Sequence, residues 1–403
     1  MSIRLRLIIL VVLFVIDGFL LQTWFEKRKV VPENLGPYPE TQQLSQGEWT
    51  FDKLSQFFSA LAVDKGAVYA FQLLKVAPLP PNIDTHLLGH EVGDILYKQQ
   101  GAQGIKYCTN DFRNACSHSI VVGLFLAKGE SALSEITQAC SQAPGGKGAY
   151  TMCFHGLGHG ILAYTGYKLE KTIELCKLTG TEQYQNQEIG QCISGAIMEL
   201  ISGGFHNRKL WEVQAPKYFR TADPLYPCDN SLIPVDSKPL CYVYLTPHLM
   251  AAAGSPITSP DPITFAKAFS FCNKIPVGDG ANRWSCYGGF GKEFVVLAQS
   301  HDIRNITDIT PAEMELVSSW CLQAPHSEAI NACEEQVVQS LYWGGENSYQ
   351  AAINYCQIVK DPYQSSCFVN LINAVKYFAP DANYVNEFCQ KLPSSFAQQC
   401  SSS

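Results

Sequence analysis

Charge is scarce in this 403-residue chain: Asp, Glu, Lys and Arg together make up 16% of it, against the usual quarter, and the net charge is -7. No basic stripe runs through it, which argues against nucleic acid as a partner. Alanine is absent before Ala60 and cysteine before Cys108. The apolar run from Leu7 to Phe25 therefore ends in neither an A-x-A cleavage site nor a lipid-accepting cysteine. No C-x-x-C pair occurs anywhere, which argues against zinc ribbons and thioredoxin-like redox motifs.

The run from Leu7 to Phe25, at helical rise, is just long enough to cross a bilayer core. It is read as an uncleaved signal anchor within residues 1–29, holding the protein to a membrane. Residues 30–48, with Pro32, Pro37 and Pro39, read as a spacer, and residues 49–403 as the body of the protein. Arg4 and Arg6 on one side of the run face Lys27, Arg28 and Lys29 on the other, so charge leaves orientation open. The 16 cysteines decide it, because an even number without metal-site spacing implies a disulfide framework. Disulfides persist in oxidising compartments, so the bulk of the chain is expected outside the cytoplasm, periplasmic or at the cell surface.

The cysteines fall into consecutive couples: 108 with 116, 140 with 153, 176 with 192, 228 with 241, 272 with 286, 321 with 333, 356 with 367 and 389 with 400. In most couples the first cysteine ends an amphipathic run, as in Phe265 to Cys272, and the second begins another, as in Cys192 to Glu199. The expected fold is therefore all-α: repeated antiparallel helical hairpins, each stapled at its corner, stacked as a solenoid or a closed α/α array. Asp84 is a plausible N-cap, and Thr310-Pro311-Ala312-Glu313 spells a capping box with proline at the first helical position. Residues 205–264 hold nine of the 22 prolines and read as an irregular insertion that regular helix cannot enter.

Chemistry concentrates in Cys153-Phe-His155-Gly-Leu-Gly-His159-Gly160 and in His86-Leu-Leu-Gly-His90. Each puts two imidazoles one helical turn apart on one face. Aligning repeats on the second cysteine places His118 and His155 both two residues past it, while Glu199 and Glu293 stand seven past theirs. If equivalent faces point inward, His86, His90, His118, His155 and His159 converge as ligands for a divalent transition metal such as zinc, iron or copper. Glu199 and Glu293 are then candidates for a further ligand or a general base. His90-Glu91-Val-Gly-Asp94 carries only the first half of the zincin H-E-x-x-H motif, a weak protease signal. The recurrent glycines read first as close helix packing, and His206, His248, His301 and His326, in or beside turns, fit no constellation.

Two functions suit this pattern. One is a metal-binding extracytoplasmic protein, with catalysis permitted but not required by these residues. The other is a non-catalytic surface scaffold that binds a peptide, glycan or envelope partner on a concave face.

Overall fold

A computed structural model of the chain describes residues 38–80, 83–220, 222–256, 260–303, 306–343, 348–379 and 381–402. The expected anchor lies outside these residues, as does most of the expected spacer. No helix among the described residues is long and apolar enough to cross a membrane. They form an all-α structure without a strand.

The helices in chain order are α1 (Glu40–Gln46), α2 (Phe51–Lys65), α3 (Ala67–Val76), α4 (Thr85–Gln100), α5 (Ala115–Lys128), α6 (Leu133–Cys140), α7 (Gly146–Tyr164), α8 (Leu169–Cys176), α9 (Gln187–Ile201) and α10 (Arg208–Gln214). They continue as α11 (Lys238–Ala253), α12 (Phe265–Ser270), α13 (Gly280–Ala298), α14 (Pro311–Cys321), α15 (Ser327–Leu341), α16 (Tyr349–Ile358), α17 (Gln364–Phe378), α18 (Ala382–Lys391) and α19 (Ser394–Ser402). Within the stretch read as spacer, α1 buries Leu44, and its Glu40 meets Lys65 and Tyr69.

Every cysteine is paired with its expected neighbour, with Cα–Cα distances from 5.3 to 5.7 Å and sequence separations from 8 to 16. The bonds lock the corners of helical hairpins: α6 to α7, α8 to α9, α14 to α15, α16 to α17. Each closes a short loop, and chain-entropy estimates give roughly 3 kcal/mol for a loop of about 15 residues. Eight such constraints together are comparable with the whole net stability of an ordinary domain.

The longer helices α4, α5, α7, α9, α11, α13, α15 and α17 pack against one another in that order, with α6, α8, α12, α14 and α16 against their flanks. Chain reversals between repeats are thus absorbed by short helices outside a continuous inner row. Two glycines show how tightly that row is packed. A Cβ on Gly158 of α7 would stand 1.9 Å from the Cys192 carbonyl oxygen of α9, and one on Gly291 of α13 would stand 2.1 Å from that of Cys333 in α15. Both residues lie five past their cysteine, and both face the second cysteine of the next repeat. The close-packing reading of these glycines therefore has a direct steric basis.

The row also curls, because distant parts of it touch. Arg113, just before α5, donates to Ser340 near the end of α15 at 2.9 Å, and Gln187 at the start of α9 reaches Tyr377 of α17 at 2.6 Å. The Thr85 hydroxyl accepts from the Ile303 backbone amide at 3.2 Å.

The proline-rich stretch needs a correction. Residues 205–237 are largely irregular, but Lys238 to Ala253 form the regular helix α11. Pro239 sits in its first turn, where no amide donor is needed. Pro247 lies inside and withholds the donor that the Val243 carbonyl would receive; Thr246 Oγ1 bonds that carbonyl instead, at 3.4 Å.

Candidate metal centre

Three elements of the inner row bring the predicted histidines together. His86 and His90 come from α4, His118 from α5, and His155 and His159 from α7. All five are buried, between 1% and 9% exposed. Ring centroids are 4.7 Å apart for His86 and His90, 5.7 Å for His90 and His118, 5.6 Å for His118 and His155, and 5.1 Å for His155 and His159. The ligand atoms of His86, His90 and His118 lie within 4.8 Å of one another, close enough to hold one metal ion.

What distinguishes this cluster from ordinary core histidines is where the Nδ1 atoms point. His86 Nδ1 lies 2.6 Å from the Phe112 carbonyl oxygen, which only accepts, so this nitrogen is the donor. Phe112, Arg113 and Asn114 all have positive φ, with values of 59, 49 and 64°. Left-handed backbone at three non-glycine residues costs on the order of 1–2 kcal/mol each, and this turn presents the Phe112 carbonyl to His86. His90 Nδ1 lies 3.1 Å from Ser119 Oγ, whose proton goes to the His90 carbonyl at 3.0 Å; the imidazole must donate here too. His155 Nδ1 likewise meets Ser194 Oγ at 2.9 Å, and that hydroxyl donates to the Gln191 carbonyl at 2.8 Å.

The partners thus assign the proton to Nδ1 and leave Nε2 as a lone pair. His86 Nε2 and His90 Nε2 face each other across 3.2 Å. Two lone pairs at that distance repel unless a proton or a cation lies between them. A proton is disfavoured: burial pushes His86 down to about 4, and burial with the neighbouring imidazoles holds His90 well below the usual histidine range. Two nitrogens about 2.0–2.1 Å from a single tetrahedral ion lie roughly 3.3 Å apart, which matches the gap. Neither ring nitrogen of His118 completes a hydrogen bond, although the Met152 backbone lies near.

Glu199 of α9, proposed from the sequence as a ligand or base, instead fastens the far side of the cluster. Its Oε2 is 3.1 Å from His159 Nδ1 and 3.2 Å from His206 Nδ1, the latter off the ideal hydrogen-bond direction. Its Oε1 accepts from Tyr167 Oη at 2.7 Å and from the His206 amide at 3.1 Å. Burial alone would raise the Glu199 carboxyl, but the positive field and hydrogen bonds of His206 and His159 hold it well below the usual range. His206 is raised, because the Glu199 charge outweighs its own burial. His159 stays lowered, since burial dominates there.

Glu293 is not brought to the histidines. Its carboxylate pairs with the adjacent Lys292 of α13, and the Lys292 ammonium lies 4.9 Å from the Tyr244 ring, which itself packs against His155 at 4.7 Å. His206 belongs to no constellation in the sequence, yet its ring is 5.9 Å from that of His90 and 6.2 Å from that of His159. It follows Gly203 and Gly204, whose φ values of 98 and 70° turn the chain back onto α9. That glycine doublet is the one local signal that could have placed it. His248, His301 and His326 stay apart; His326 caps α15 and meets Arg283 at 3.0 Å.

No known protein family, curated protein or solved structure matches the chain.

Proposed function

We propose that this is an extracytoplasmic transition-metal protein whose curled array of stapled hairpins encloses an ion held by His86, His90 and His118. The single observation that carries the reading is the 3.2 Å approach of two Nε2 lone pairs whose Nδ1 atoms are both committed as donors. Neutral imidazole is the form that ligates, and the cluster keeps its imidazoles neutral by burial. Nitrogen donors suit zinc, copper or iron, and three of them leave a position open. An ion there would acidify bound water or hold a small oxygen species, which makes a metalloenzyme the natural extension. The membrane anchor at Leu7 to Phe25 would tether this centre on the outer side, and Glu293 with Lys292 would border it beyond Tyr244 as a polar rim.

Elemental analysis of the full chain, purified without a histidine tag, tests the proposal. At least one equivalent of zinc, copper or iron should be present or restored by reconstitution, and His90→Ala or His118→Ala should lower its affinity at least 100-fold. Absence of stoichiometric metal before and after reconstitution overturns it.

A further inference from the structure

The curl of the array brings a second polar cluster together, where the start of α5 meets the end of α15. Arg113 donates through Nη2 to Ser340 Oγ at 2.9 Å, and its guanidinium carbon lies 5.6 Å from the Trp343 ring. Trp343 stands 6.5 Å from the Tyr244 ring of α11, and the Lys292 ammonium of α13 lies 4.9 Å from that same ring. Lys292, Glu293 and Tyr244 are buried, whereas Arg113 and Trp343 are partly exposed. Solvent therefore meets this cluster at the guanidinium.

Its charges do not balance. Lys292 and Glu293 form an ion pair, and the Glu293 charge also acts on Arg113, while Arg113 and Lys292 oppose each other. Among the described residues one carboxylate thus serves two cations. A buried lysine can shed its proton, but a guanidinium cannot. The Arg113 side chain rests on a hydroxyl and an indole face, both neutral, and its enclosed Nε–H completes no hydrogen bond among the described residues. A charged donor left in that condition costs more than a neutral one, so the arrangement favours an acceptor that carries negative charge.

From this imbalance we propose that Arg113 binds a small, singly charged carboxylate where α5 meets α15, with the Lys292 charge adding to the attraction. Guanidinium N–H groups lie in one plane and match the two oxygens of a carboxylate. A single unit of excess charge suits a monoanion better than a phosphate dianion, and the Trp343 and Tyr244 rings favour a ligand with an apolar body over an inorganic ion. Arg113 is the middle residue of the left-handed turn whose Phe112 carbonyl holds His86, so one turn carries a contact to each site. The carboxylate site does not rest on the metal reading.

The competing explanation is a structural contact in which Arg113 only pins α15 to the start of α5. Calorimetric titration of the full chain, as purified, with sodium benzoate, sodium acetate and sodium sulfate separates the two. Benzoate should bind once per chain and more tightly than acetate or sulfate. Arg113→Met should weaken it about 10-fold or more. Glu293→Gln, which removes the competing carboxylate, should tighten it roughly 10-fold and shift the preference towards sulfate. Circular dichroism reports folding; if Arg113→Met unfolds, Glu293→Gln carries the test, and unchanged or weaker binding there counts against the site. No benzoate binding by the natural protein, or binding unchanged in Arg113→Met, overturns the proposal. Loss of binding in His90→Ala with retention in Arg113→Met would place the anion at the histidines and overturn it equally, while leaving the metal reading in place.

Discussion

The row of inner helices has two halves built on the same plan and filled differently. In α4, α5, α7 and α9 five buried histidines stand with Glu188, Glu199 and small hydroxyls; in α13 and α15 the buried polar groups are Asn282, Lys292, Glu293, Glu334 and Ser340. The packing devices do not differ, since Gly158 and Gly291 occupy the same place in their repeats and meet the equivalent carbonyls of Cys192 and Cys333. Polar satisfaction does. Glu334 is 2% exposed, and Tyr355 Oη and Ser318 Oγ both donate to it. In the first half His86, His90 and His155 have partners for their Nδ1 donors, whereas His118 completes no hydrogen bond and the Nε2 atoms of His86 and His90 face one another. The scaffold therefore does not require histidine at these positions, and the imidazoles answer to something other than packing.

The strongest way to break this comparison is to reduce all eight disulfides. Because each half is held by staples worth roughly 3 kcal/mol apiece, both should unfold together, and the melting transition of the full chain should collapse in strong reductant. An unchanged melting profile would sink the account of the staples.

Overpacking comes next. Gly158→Val and Gly291→Val each drive a side chain into a neighbouring backbone carbonyl, so both should cost about 3 kcal/mol or more in denaturant unfolding. Only the Gly158 variant should also weaken metal binding. Equal loss of metal in both would erase the distinction between the halves.

Acid and base should separate the halves in the metal-free protein. His86, His90, His118 and His155 have folded pKa values below their unfolded value of about 6.5. Their contribution is present above pH ~6.5 and lost as pH falls, for His86 down to about 4, at up to about 1.4 kcal/mol per pH unit for each proton taken up on unfolding. Glu334 behaves oppositely: burial, resisted by Tyr355 and Ser318, raises its carboxyl to about 7. Its contribution is present below the unfolded value of about 4.3 and lost as pH rises towards 7. Urea unfolding from pH 4 to 7 should therefore show a steeper rise of stability with pH in Glu334→Gln. A slope unchanged by that substitution would remove the contrast.

The smallest effects concern helix starts. Asp84 caps α4, accepting from the Leu87 amide at 3.0 Å, and Thr310 caps α14 in a reciprocal box with Glu313. Asp84→Ala and Thr310→Ala should each cost about 1 kcal/mol. Asp84→Ala alone should lower metal affinity, because it loosens the turn that carries His86. Matching metal affinities would show that α4 is held in place without its cap.

Local chemistry explains which of these features could be read before the fold was known. The eight cysteine couples were legible because each closes within one repeat, and the caps of α4 and α14 because their donors and acceptors lie three residues apart. The meeting of His118 with His155 was legible from register, since equivalent positions in stacked repeats share a face, and the pairs His86 with His90 and His155 with His159 from their spacing of one helical turn. Glu199 and Glu293 share a register too, yet only Glu199 meets imidazoles. The neighbour of Glu293 in sequence is a lysine, and an adjacent opposite charge captures a carboxylate before a distant helix can. His206 was hidden because it stands in a loop, where register says nothing and a glycine turn decides the direction. The helix through Pro247 was hidden because a threonine one residue earlier supplies the missing bond.

The staples have a further consequence for how the protein is made. No disulfide joins one hairpin to another, so each cysteine's partner is the very next one or the one just before it along the chain. A polypeptide threading into an oxidising compartment from its N-terminus presents its thiols in the order in which they must join. A thiol oxidase that links each newly emerged pair will reach the native set without reshuffling. Biogenesis should accordingly need an oxidase but no disulfide isomerase, and pulse-labelled chains in cells lacking only the isomerase should mature at the normal rate.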